Sequence, residues 1–343
     1  MENTGVPTNL TTPSNEHLVK NENFLWSIVN TVSIVAYSLV FVLGTTGNGL
    51  VIFITGFRMK RTVHTVWILN LAIADFTCSF FQLFNIVHVG LAFHWPFGSI
   101  MCKLNHTIVF LNLFASIYLL MVISIDRCIA VQCPVWAQNR RTPRLASFVV
   151  LGVWILALGL CSPHLYFKDI YYDGKANKSK CRSTYGTYDG GGTIYYALVL
   201  IRFIFGFIIP FIIIVVCYGA IVVKLRRDQL SESSKPFQVI TAVIVAFFVC
   251  WFPFHIFYFL KVKTFYYPKK PVLVPIGLRL SYSLAFFNSC LNPILYFCMG
   301  HNFKEKLRCS FLSVLAKAFT EESNHSTTNT RSRSSAELES HSL

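Results

Sequence analysis

Long apolar runs alternate with short polar segments along most of this chain of 343 residues. A helix that crosses the hydrocarbon core of a bilayer needs about 20 predominantly apolar residues, and a window of about 19 residues reveals such runs. Seven are long enough: 26–54, 63–89, 99–127, 144–165, 194–223, 238–261 and 273–298. The pattern predicts an all-α membrane protein, with a seven-transmembrane helix bundle in residues 24–300.

Composition supports this fold class. The chain is 54% hydrophobic and only 13% charged, which is too apolar for an ordinary soluble domain. Prolines at 163, 210, 253 and 293 fall inside the runs, and in lipid they are expected to kink helices without ending them. The sequence contains no His-Glu-x-x-His or comparable catalytic cluster, so we do not expect an enzyme.

The connections between the runs predict the orientation. Residues 56–62, 132–143 and 224–236 are short and basic, and basic connections stay in the cytoplasm. The polar segment 1–23 is therefore predicted to be an extracellular tail, although four lysines in 261–270 weaken the signal. The chain is expected in the plasma membrane with its C-terminus in the cytoplasm. These loops account for much of the net charge of +15, and no nucleic-acid partner is expected.

Two sequons and two cysteines lie on the predicted outer side. Asn9 and Asn177 begin Asn-x-Ser/Thr sequons, which predict glycosylation there. Cys102 and Cys181 are the only cysteines that face the oxidising side in this topology, so they predict one disulfide. Two unpaired thiols are the alternative.

The C-terminal part of the chain changes character after the last run. Residues 301–316 alternate basic and apolar groups at helical spacing, which predicts a short amphipathic helix on the membrane surface. Cys309 in this segment is a candidate for palmitoylation or an ordinary apolar-face cysteine. Residues 317–343 are rich in Ser and Thr and are expected to be disordered. Receptor kinases would phosphorylate this tail, and arrestin would bind the negative charge that phosphorylation adds, whereas a solubilising linker is the alternative.

Acidic and amide side chains inside the runs indicate a polar site in the middle of the bundle. An isolated carboxylate in a membrane span must be protonated, paired or bound to a cation. Asp75 is the acidic residue deep in the second run, and four residues of the third and seventh runs are candidate partners: Asn112, Ser116, Asn288 and Asn292. This oxygen-rich set suits a structural or allosteric Na⁺, and a protonated Asp75 in a hydrogen-bond network is the alternative. No other cofactor is expected.

Several motifs occur together in the order and spacing of one large family. They are Asp75, the Asp126–Arg127 pair, Cys102 with Cys181, Cys-Trp-Phe-Pro around Trp251, and Asn292-Pro-x-x-Tyr. Residues 24–312 therefore resemble the rhodopsin-like (class A) G protein-coupled receptors. The segments "PVWAQNRRT" and "MGHNFKEKL" are similar to those of the chemoattractant group, closest to the formyl-peptide and chemerin receptors.

The resemblance implies a ligand site and an activation switch. The ligand cavity of the outer half would be lined by Phe84, His88, Asn105, Phe110, Arg202, His255, Tyr258, Arg279 and Tyr282. The switch would comprise Asp126, Arg127, Tyr218, Trp251, Pro253, Asn292, Pro293 and Tyr296. In this hypothesis Asp126 holds Arg127 until activation releases it towards Tyr218 and a heterotrimeric G protein of inhibitory type. A simple interfacial charge pair is the alternative.

Two departures from the formyl-peptide receptors bear on the ligand. Those receptors carry an acidic residue where this chain has Phe110 and a second arginine where it has Leu198, so only Arg202 remains of that polar set. A ligand carboxylate would form a bidentate pair with Arg202, and a snorkelling arginine held by a backbone carbonyl is the alternative. The expected ligand is an extracellular peptide or lipid mediator that carries a carboxylate. The alternative functions are a non-signalling decoy receptor and, with less support, a transporter.

Overall fold

A computed structural model of the chain describes residues 13–185, 191–228, 235–266 and 273–299. Its helical segments are Pro13–Leu39, Val40–Gly44, Thr45–Phe53, Ile54–Arg58, Val63–Gly90, Gly98–Gln132, Pro134–Arg140, Pro143–Cys161, Pro163–Tyr166, Gly191–Phe203, Ile204–Ile208, Ile209–Arg227, Lys235–Tyr266 and Leu273–Met299. Val40–Gly44, Ile54–Arg58 and Ile204–Ile208 are π-helical turns within longer helices. The two strands are β1, Lys168–Asp173, and β2, Lys178–Ser183.

The long helices correspond to the predicted apolar runs. Within the described residues, six helices are long and apolar enough to cross a membrane, and we number them spans 1 to 6: Asn21–Arg58, Val63–Gly90, Gly98–Gln132, Pro143–Tyr166, Gly191–Arg227 and Ile240–Val262. Span 7 is the helix Leu273–Met299, which packs against spans 1, 2 and 6. The predicted runs agree with these helices apart from a turn or so at their ends, except at the first run. The first helix begins at Pro13, so it extends into the segment 1–23 that was predicted to be a polar tail.

Span 3 forms the centre of the bundle. It packs against spans 2, 4 and 5, and 72% of its most apolar window is buried, compared with 28% for span 4. Its side chains therefore contribute to the polar clusters at both ends of the molecule and in its middle.

The four prolines lie within the spans. Pro253 and Pro293 lie inside continuous helices, as expected for proline in a membrane span. Pro163 begins the short helix Pro163–Tyr166 directly after Ser162, whose backbone is itself helical, so span 4 continues past this proline as expected. Proline suits the first turn of a helix, where its missing N–H is not needed. Pro210 follows the π-helical turn Ile204–Ile208, and the Tyr118 hydroxyl donates to the Phe205 carbonyl of that turn at 3.1 Å.

A β-hairpin covers one end of the bundle. Strands β1 and β2 are antiparallel, with Ile170 opposite Cys181. Cys181 forms a disulfide with Cys102 at the start of span 3, with 5.7 Å between their Cα atoms, which confirms the predicted pairing. The backbone N–H of Trp95 also donates to the Ser179 carbonyl at 2.8 Å. Hydropathy did not predict these six-residue strands, because short amphipathic strands leave no long apolar run.

We call the two ends of the bundle the hairpin end, which carries β1 and β2, and the basic end, which carries connections 59–62 and 133–142. Which end faces the cytoplasm stays a prediction. Asn177 is exposed in the turn between the strands, where a glycan has room. Several predictions lie outside the described residues: Asn9, the helix 301–316 with Cys309, the tail 317–343, and the side chain of Tyr296.

Candidate functional site

A cavity of about 180 Å³ lies at the hairpin end between spans 1, 2, 3 and 7 and the hairpin. Five of the nine residues predicted for the ligand site line it: His88, Asn105, Phe110, Arg279 and Tyr282. Two more join through contacts with these, since Tyr258 shares a hydrogen bond with Tyr282 and Arg202 lies against Phe110. Seven of the predicted residues therefore form one continuous site.

Arg202 is the buried cation of this site. Its side chain lies on span 5 with only 4% of the residue exposed. The guanidinium carbon is 4.0 Å from the Phe110 ring centroid and 4.6 Å from that of Tyr258. Such contacts stabilise a cation most when it is removed from water. Aromatic faces, rather than a carboxylate, surround this charge.

The hydrogen bonds of Arg202 are incomplete. Its Nη2 donates to Nε2 of His164 at 3.2 Å, but its buried Nη1 has no hydrogen-bond partner among the described residues. None of the ion pairs in the described part of the chain includes Arg202. A buried guanidinium with free N–H groups is strongly disfavoured unless an acceptor arrives. The arrangement is suited to an incoming anion.

His164 is a site residue that the sequence analysis missed. It is buried, and its ring stacks on Phe110 with centroids 3.8 Å apart. The short helix that begins at Pro163 carries this histidine beneath the hairpin. A polar side chain within the fourth apolar run was the signal that could have identified it.

The guanidinium of Arg279 has different partners from that of Arg202. Its Nη1 donates to the Asn30 side-chain oxygen of span 1. Its guanidinium lies 4.3 Å from the Phe93 ring centroid and 5.5 Å from that of Trp26. Ala92 and Phe93 both have positive φ, at 50° and 66°, a strained conformation for residues with a Cβ. This turn places the Phe93 ring beside Arg279 at the rim of the cavity.

Lys168, at the start of β1, adds a further cation that the sequence analysis did not single out. The carboxylates on its strand belong to other lysines: Asp169 lies 3.5 Å from Lys103, and Asp173 lies 2.7 Å from Lys180. Desolvation, together with the charges of Lys261 and Arg202, lowers the pKa of Lys168 to about 7. The neighbouring charges of Lys261 and Arg202 thus disfavour the protonated form of Lys168, and none of the described ion pairs balances it.

The remaining predicted ligand residues lie around this site. His88 Nδ1 lies 3.2 Å from the His94 carbonyl, and Asn105 donates to the Asn85 side-chain oxygen at 2.8 Å. His255 packs against aromatic rings, and its buried Nε2 has no partner among the described residues. Phe84 packs on Phe97 at 4.9 Å and is not among the described residues that line the cavity.

A path of aromatic rings connects the site with the middle of span 6. The Arg202 guanidinium carbon is 5.9 Å from the Phe254 ring centroid, and Phe254 contacts Trp251 edge-to-face at 5.3 Å. Phe254 also contacts Tyr282 at 5.0 Å. Trp251 is almost fully buried one turn from Phe254 and next to the proline kink at 253. A group that moves Arg202 would therefore disturb Trp251 through a single ring.

Asp75 lies in the polar cluster at the middle of the bundle. The side-chain N–H groups of Asn112 and Asn292 donate to its two carboxylate oxygens at 2.9 and 2.6 Å. Ser116 accepts from Asn112 at 3.3 Å, and Asn288 is buried with both polar atoms unpartnered among the described residues. Ser116 and Ser289 also interact with the Asp75 carboxylate, and this oxygen-rich set fits a small cation as well as a protonated network.

A link between spans 1 and 7 that the sequence did not predict lies in this region. Asn48 donates to the backbone carbonyls of Ser289 at 2.7 Å and Gly44 at 2.9 Å. An asparagine deep in the first apolar run was its sequence signal. The bond ties span 7 to span 1 close to the Asp75 cluster.

At the basic end, the structure contradicts the predicted Asp126–Arg127 latch. Asp126 accepts two hydrogen bonds from Arg141, at 2.6 and 2.7 Å. Arg127 instead donates to Nδ1 of His64, at the start of span 2, at 3.0 Å. Adjacent residues on a helix point in different directions, which is why the two neighbours in sequence are not partners.

The Asp126–Arg141 pair is a bidentate ion pair between span 3 and the following connection. Arg141 lies outside the spans, and its hydrogen bonds with Asp126 raise its pKa above the ordinary value. Tyr218 of span 5 lies near Arg127 and interacts with Thr241 of span 6. Three of the predicted switch residues, Asp126, Arg127 and Tyr218, therefore lie at this end, but with different pairings from those proposed. Trp251 and Asn292 lie in the middle of the bundle instead.

Comparisons with known proteins define the class of protein to which this chain belongs. Residues 47–296 match the family described as 7 transmembrane receptor (rhodopsin family). The chain therefore belongs to the rhodopsin family of seven-transmembrane receptors, and the predictions of fold class and of a receptor rather than an enzyme are confirmed.

The most similar relatives narrow this class. Chemerin-like receptor 1 of Sus scrofa is 40% identical over 311 residues, which are 87% of this chain and 85% of that protein. N-formyl peptide receptor 2 of Homo sapiens is 41% identical over 330 residues, 92% of this chain and 93% of that protein. Chemerin-like receptor 1 of Homo sapiens is 41% identical over 305 residues, 85% and 81% of the two chains. The chain is thus a G protein-coupled receptor of the chemoattractant type in a cell membrane.

Proposed function

We propose that this receptor recognises an extracellular peptide or lipid mediator through a carboxylate that binds Arg202. The hairpin end then faces the outside, as the disulfide between Cys102 and Cys181 favours. The observation that carries the proposal is the buried Nη1 of Arg202, which has no acceptor among the described residues. A carboxylate is the acceptor that matches the planar donors of a guanidinium.

The cations around the site support an anionic ligand. Lys168 and Arg279 lie at the same end as Arg202, and neither is in an ion pair among the described residues. A positive mouth raises the encounter rate of anions. The names of the relatives point to peptide ligands, and the aromatic lining accepts a lipid chain equally well, so both ligand classes stay in the proposal.

Binding is expected to act on the switch through the aromatic path. A carboxylate on Arg202 would reduce its attraction to the ring faces and change the packing of Phe254 on Trp251. The kink at Pro253 would pass this change to the inner half of span 6, and Asn292 with Pro293 would do the same for span 7. A ligand achieves this only through different affinities for the two packings.

The basic end would then bind the heterotrimeric G protein. On activation, Arg127 would be released from His64, and its guanidinium would become available to the G protein. A G protein of inhibitory type is expected from the chemoattractant resemblance. Receptor kinases and arrestin would act on the Ser/Thr-rich tail at 317–343. In the inactive packing, Na⁺ would be held by Asp75, Asn112, Ser116, Asn288 and Asn292. The ion would supply the positive charge that balances the Asp75 carboxylate.

The test uses cells that express the full chain and a panel of carboxylate-bearing peptides and fatty-acid mediators, with G protein dissociation as the readout. Arg202→Gln should lower the potency of every active ligand about tenfold or more, as expected when a hydrogen bond to a charged group is lost. The matched control is Arg182→Gln, an exposed arginine on β2 at the same end. Surface expression is measured for each variant.

Two outcomes would change the proposal. Unchanged potency of all active ligands on Arg202→Gln would refute recognition of a carboxylate at this residue. Binding of a ligand without activation of any G protein would favour the decoy receptor.

A further inference from the structure

A second cavity lies away from the ligand site, at the basic end. It is a groove of about 480 Å³ between the end of span 1, the start of span 2 and the first half of span 4, a volume typical of small-molecule sites. Its lining includes Gly56, Arg61, Leu69, Asn70, Leu151 and Trp154. We call it the span 1–2–4 groove.

The groove opens to the side of the bundle. Gly56 and Leu151 on its lining are exposed, in positions where the bilayer would surround spans 1 and 4. Deeper in the groove, the Trp154 indole N–H donates to the Asn70 side-chain oxygen at 3.1 Å, which satisfies both groups. An occupant can therefore enter from the bilayer, and apolar groups of it would pack against Leu69 and Leu151.

A cation lies at the mouth of the groove. Arg61 is exposed in the connection between spans 1 and 2, and its Nη2 donates to the Ser147 hydroxyl on span 4 at 2.8 Å. Ser147 in turn donates to the Pro143 carbonyl at 2.9 Å. Ser147 is the only described acceptor for Arg61, so the remaining guanidinium donors are available while the side chain is held across the mouth.

Nearby carboxylates do not compete for Arg61. The sequence between residues 55 and 74 and between 143 and 168 contains no Asp or Glu. The two carboxylates described at this end, Asp126 and Asp228, are paired with Arg141 and Lys224. Exposed Arg58 and Lys60 add to the positive charge beside the mouth.

We propose that the span 1–2–4 groove binds an anionic phospholipid, with the headgroup phosphate on Arg61 and an acyl chain along Leu69, Leu151 and Trp154. The guanidinium fork matches phosphate oxygens, and the surplus of cations disfavours a zwitterionic headgroup with its own positive charge. In the orientation proposed above, this site lies in the inner leaflet, where anionic lipids are concentrated.

The test is native mass spectrometry of the purified full-length receptor with an equal mixture of phosphatidylserine and phosphatidylcholine of the same chains. The wild-type receptor should retain phosphatidylserine about fivefold more than phosphatidylcholine, which corresponds to about 1 kcal/mol. Arg61→Gln should remove most of this preference. Arg227→Gln is the matched control, because this exposed arginine at the same end does not line the groove.

A second variant separates the groove from general electrostatic attraction. A Cβ at Gly56 would meet no atom closer than Leu69 Cδ1 at 4.0 Å, so Gly56→Leu fills the groove while keeping every charge. It should reduce retention of phosphatidylserine as strongly as Arg61→Gln does. If Gly56→Leu does not yield folded receptor, Leu69→Phe fills the same space from span 2.

The proposal is overturned if either groove variant behaves like Arg227→Gln. It is also overturned if glycerophosphoserine, which has the headgroup without chains, displaces the lipid at equal concentration, because the site would then bind small anions only.

Discussion

Asp126 holds Arg141 at the basic end with two hydrogen bonds of 2.6 and 2.7 Å, whereas Arg202 at the hairpin end has aromatic rings and a histidine around it. Both arginines are removed from much of the solvent, yet only the first has an internal carboxylate. A charge that is paired internally stabilises one packing, and a charge without a carboxylate is available for a ligand. Under the proposed function, the basic end is held by an internal ion pair, whereas the charge at the hairpin end is left for a ligand.

The aromatic residues show the same contrast. At the hairpin end they surround cations and connect Arg202 with Trp251 through Phe254. At the basic end, Trp67 and Trp136 line an apolar pocket beside the Asp126–Arg141 pair. Rings thus connect a cation with Trp251 in one region and lie beside an ion pair in the other.

Of the contacts at the two ends, the disulfide should have the largest effect on stability, because it holds the hairpin over the cationic site. Cys102→Ala should lower the free energy of unfolding by about 4–5 kcal/mol, as expected for a closed loop of this length. Thermal unfolding of purified receptor measures this loss. Cys133→Ala, which removes an exposed free cysteine at the basic end, is the control and should have little effect. Equal melting temperatures for both variants would contradict the prediction.

The Asp126–Arg141 ion pair at the basic end should have the second-largest effect on stability. A double-mutant cycle of Asp126→Asn and Arg141→Gln should give a coupling free energy of about 2 kcal/mol, since the pair is bidentate and partly buried. The control cycle uses Asp228 and Lys224, an i,i+4 pair that is 34% exposed on both sides. That pair should contribute only about 0.3–0.5 kcal/mol. Similar coupling in the two cycles would show that burial makes no difference here.

Removing the partner of Arg127 tests the revised switch. His64→Ala deletes the acceptor of its hydrogen bond, so basal G protein activation should rise by about tenfold, equivalent to about 1.5 kcal/mol. His64→Gln keeps a side-chain acceptor and should restore most of the low basal activity. A nucleotide-exchange assay in membranes measures both. The prediction is wrong if the two variants have the basal activity of the wild type.

The smallest expected effect concerns the pH dependence of Lys168. Its pKa of about 7 lies below its ordinary value of 10.5, so between these values the unfolded chain binds a proton that the folded protein does not. Raising the pH through this window therefore stabilises the wild type. Lys168→Met should raise the melting temperature at pH 6 by a few degrees, and this advantage should narrow towards pH 9.

The control for this prediction lies on the same hairpin. Lys180→Met removes a lysine that is paired with Asp173, and it should not stabilise the receptor at pH 6. A gap between Lys168→Met and wild type that does not change with pH would exclude titration of Lys168 as its origin.

Hydropathy was sufficient for the helices. Seven apolar runs predicted the spans apart from a turn or so at their ends, because a bilayer requires about 20 apolar residues per crossing regardless of tertiary contacts. The two cysteines on the predicted outer side were likewise enough to predict their disulfide. The strands of the hairpin were missed, since their residues pair across a turn and are held by Trp95 and Cys102 from other segments.

Only the tertiary structure decided which polar partner each charged side chain has. The residues Asp126, Arg127 and Arg202 were recognisable from their charges within apolar runs, but Arg141, His64 and His164 were not recognisable as their partners. Those pairs join residues 15, 63 and 38 positions apart in the chain. Sequence determines which charges must find a partner in the membrane, and helix packing determines which partner each one finds.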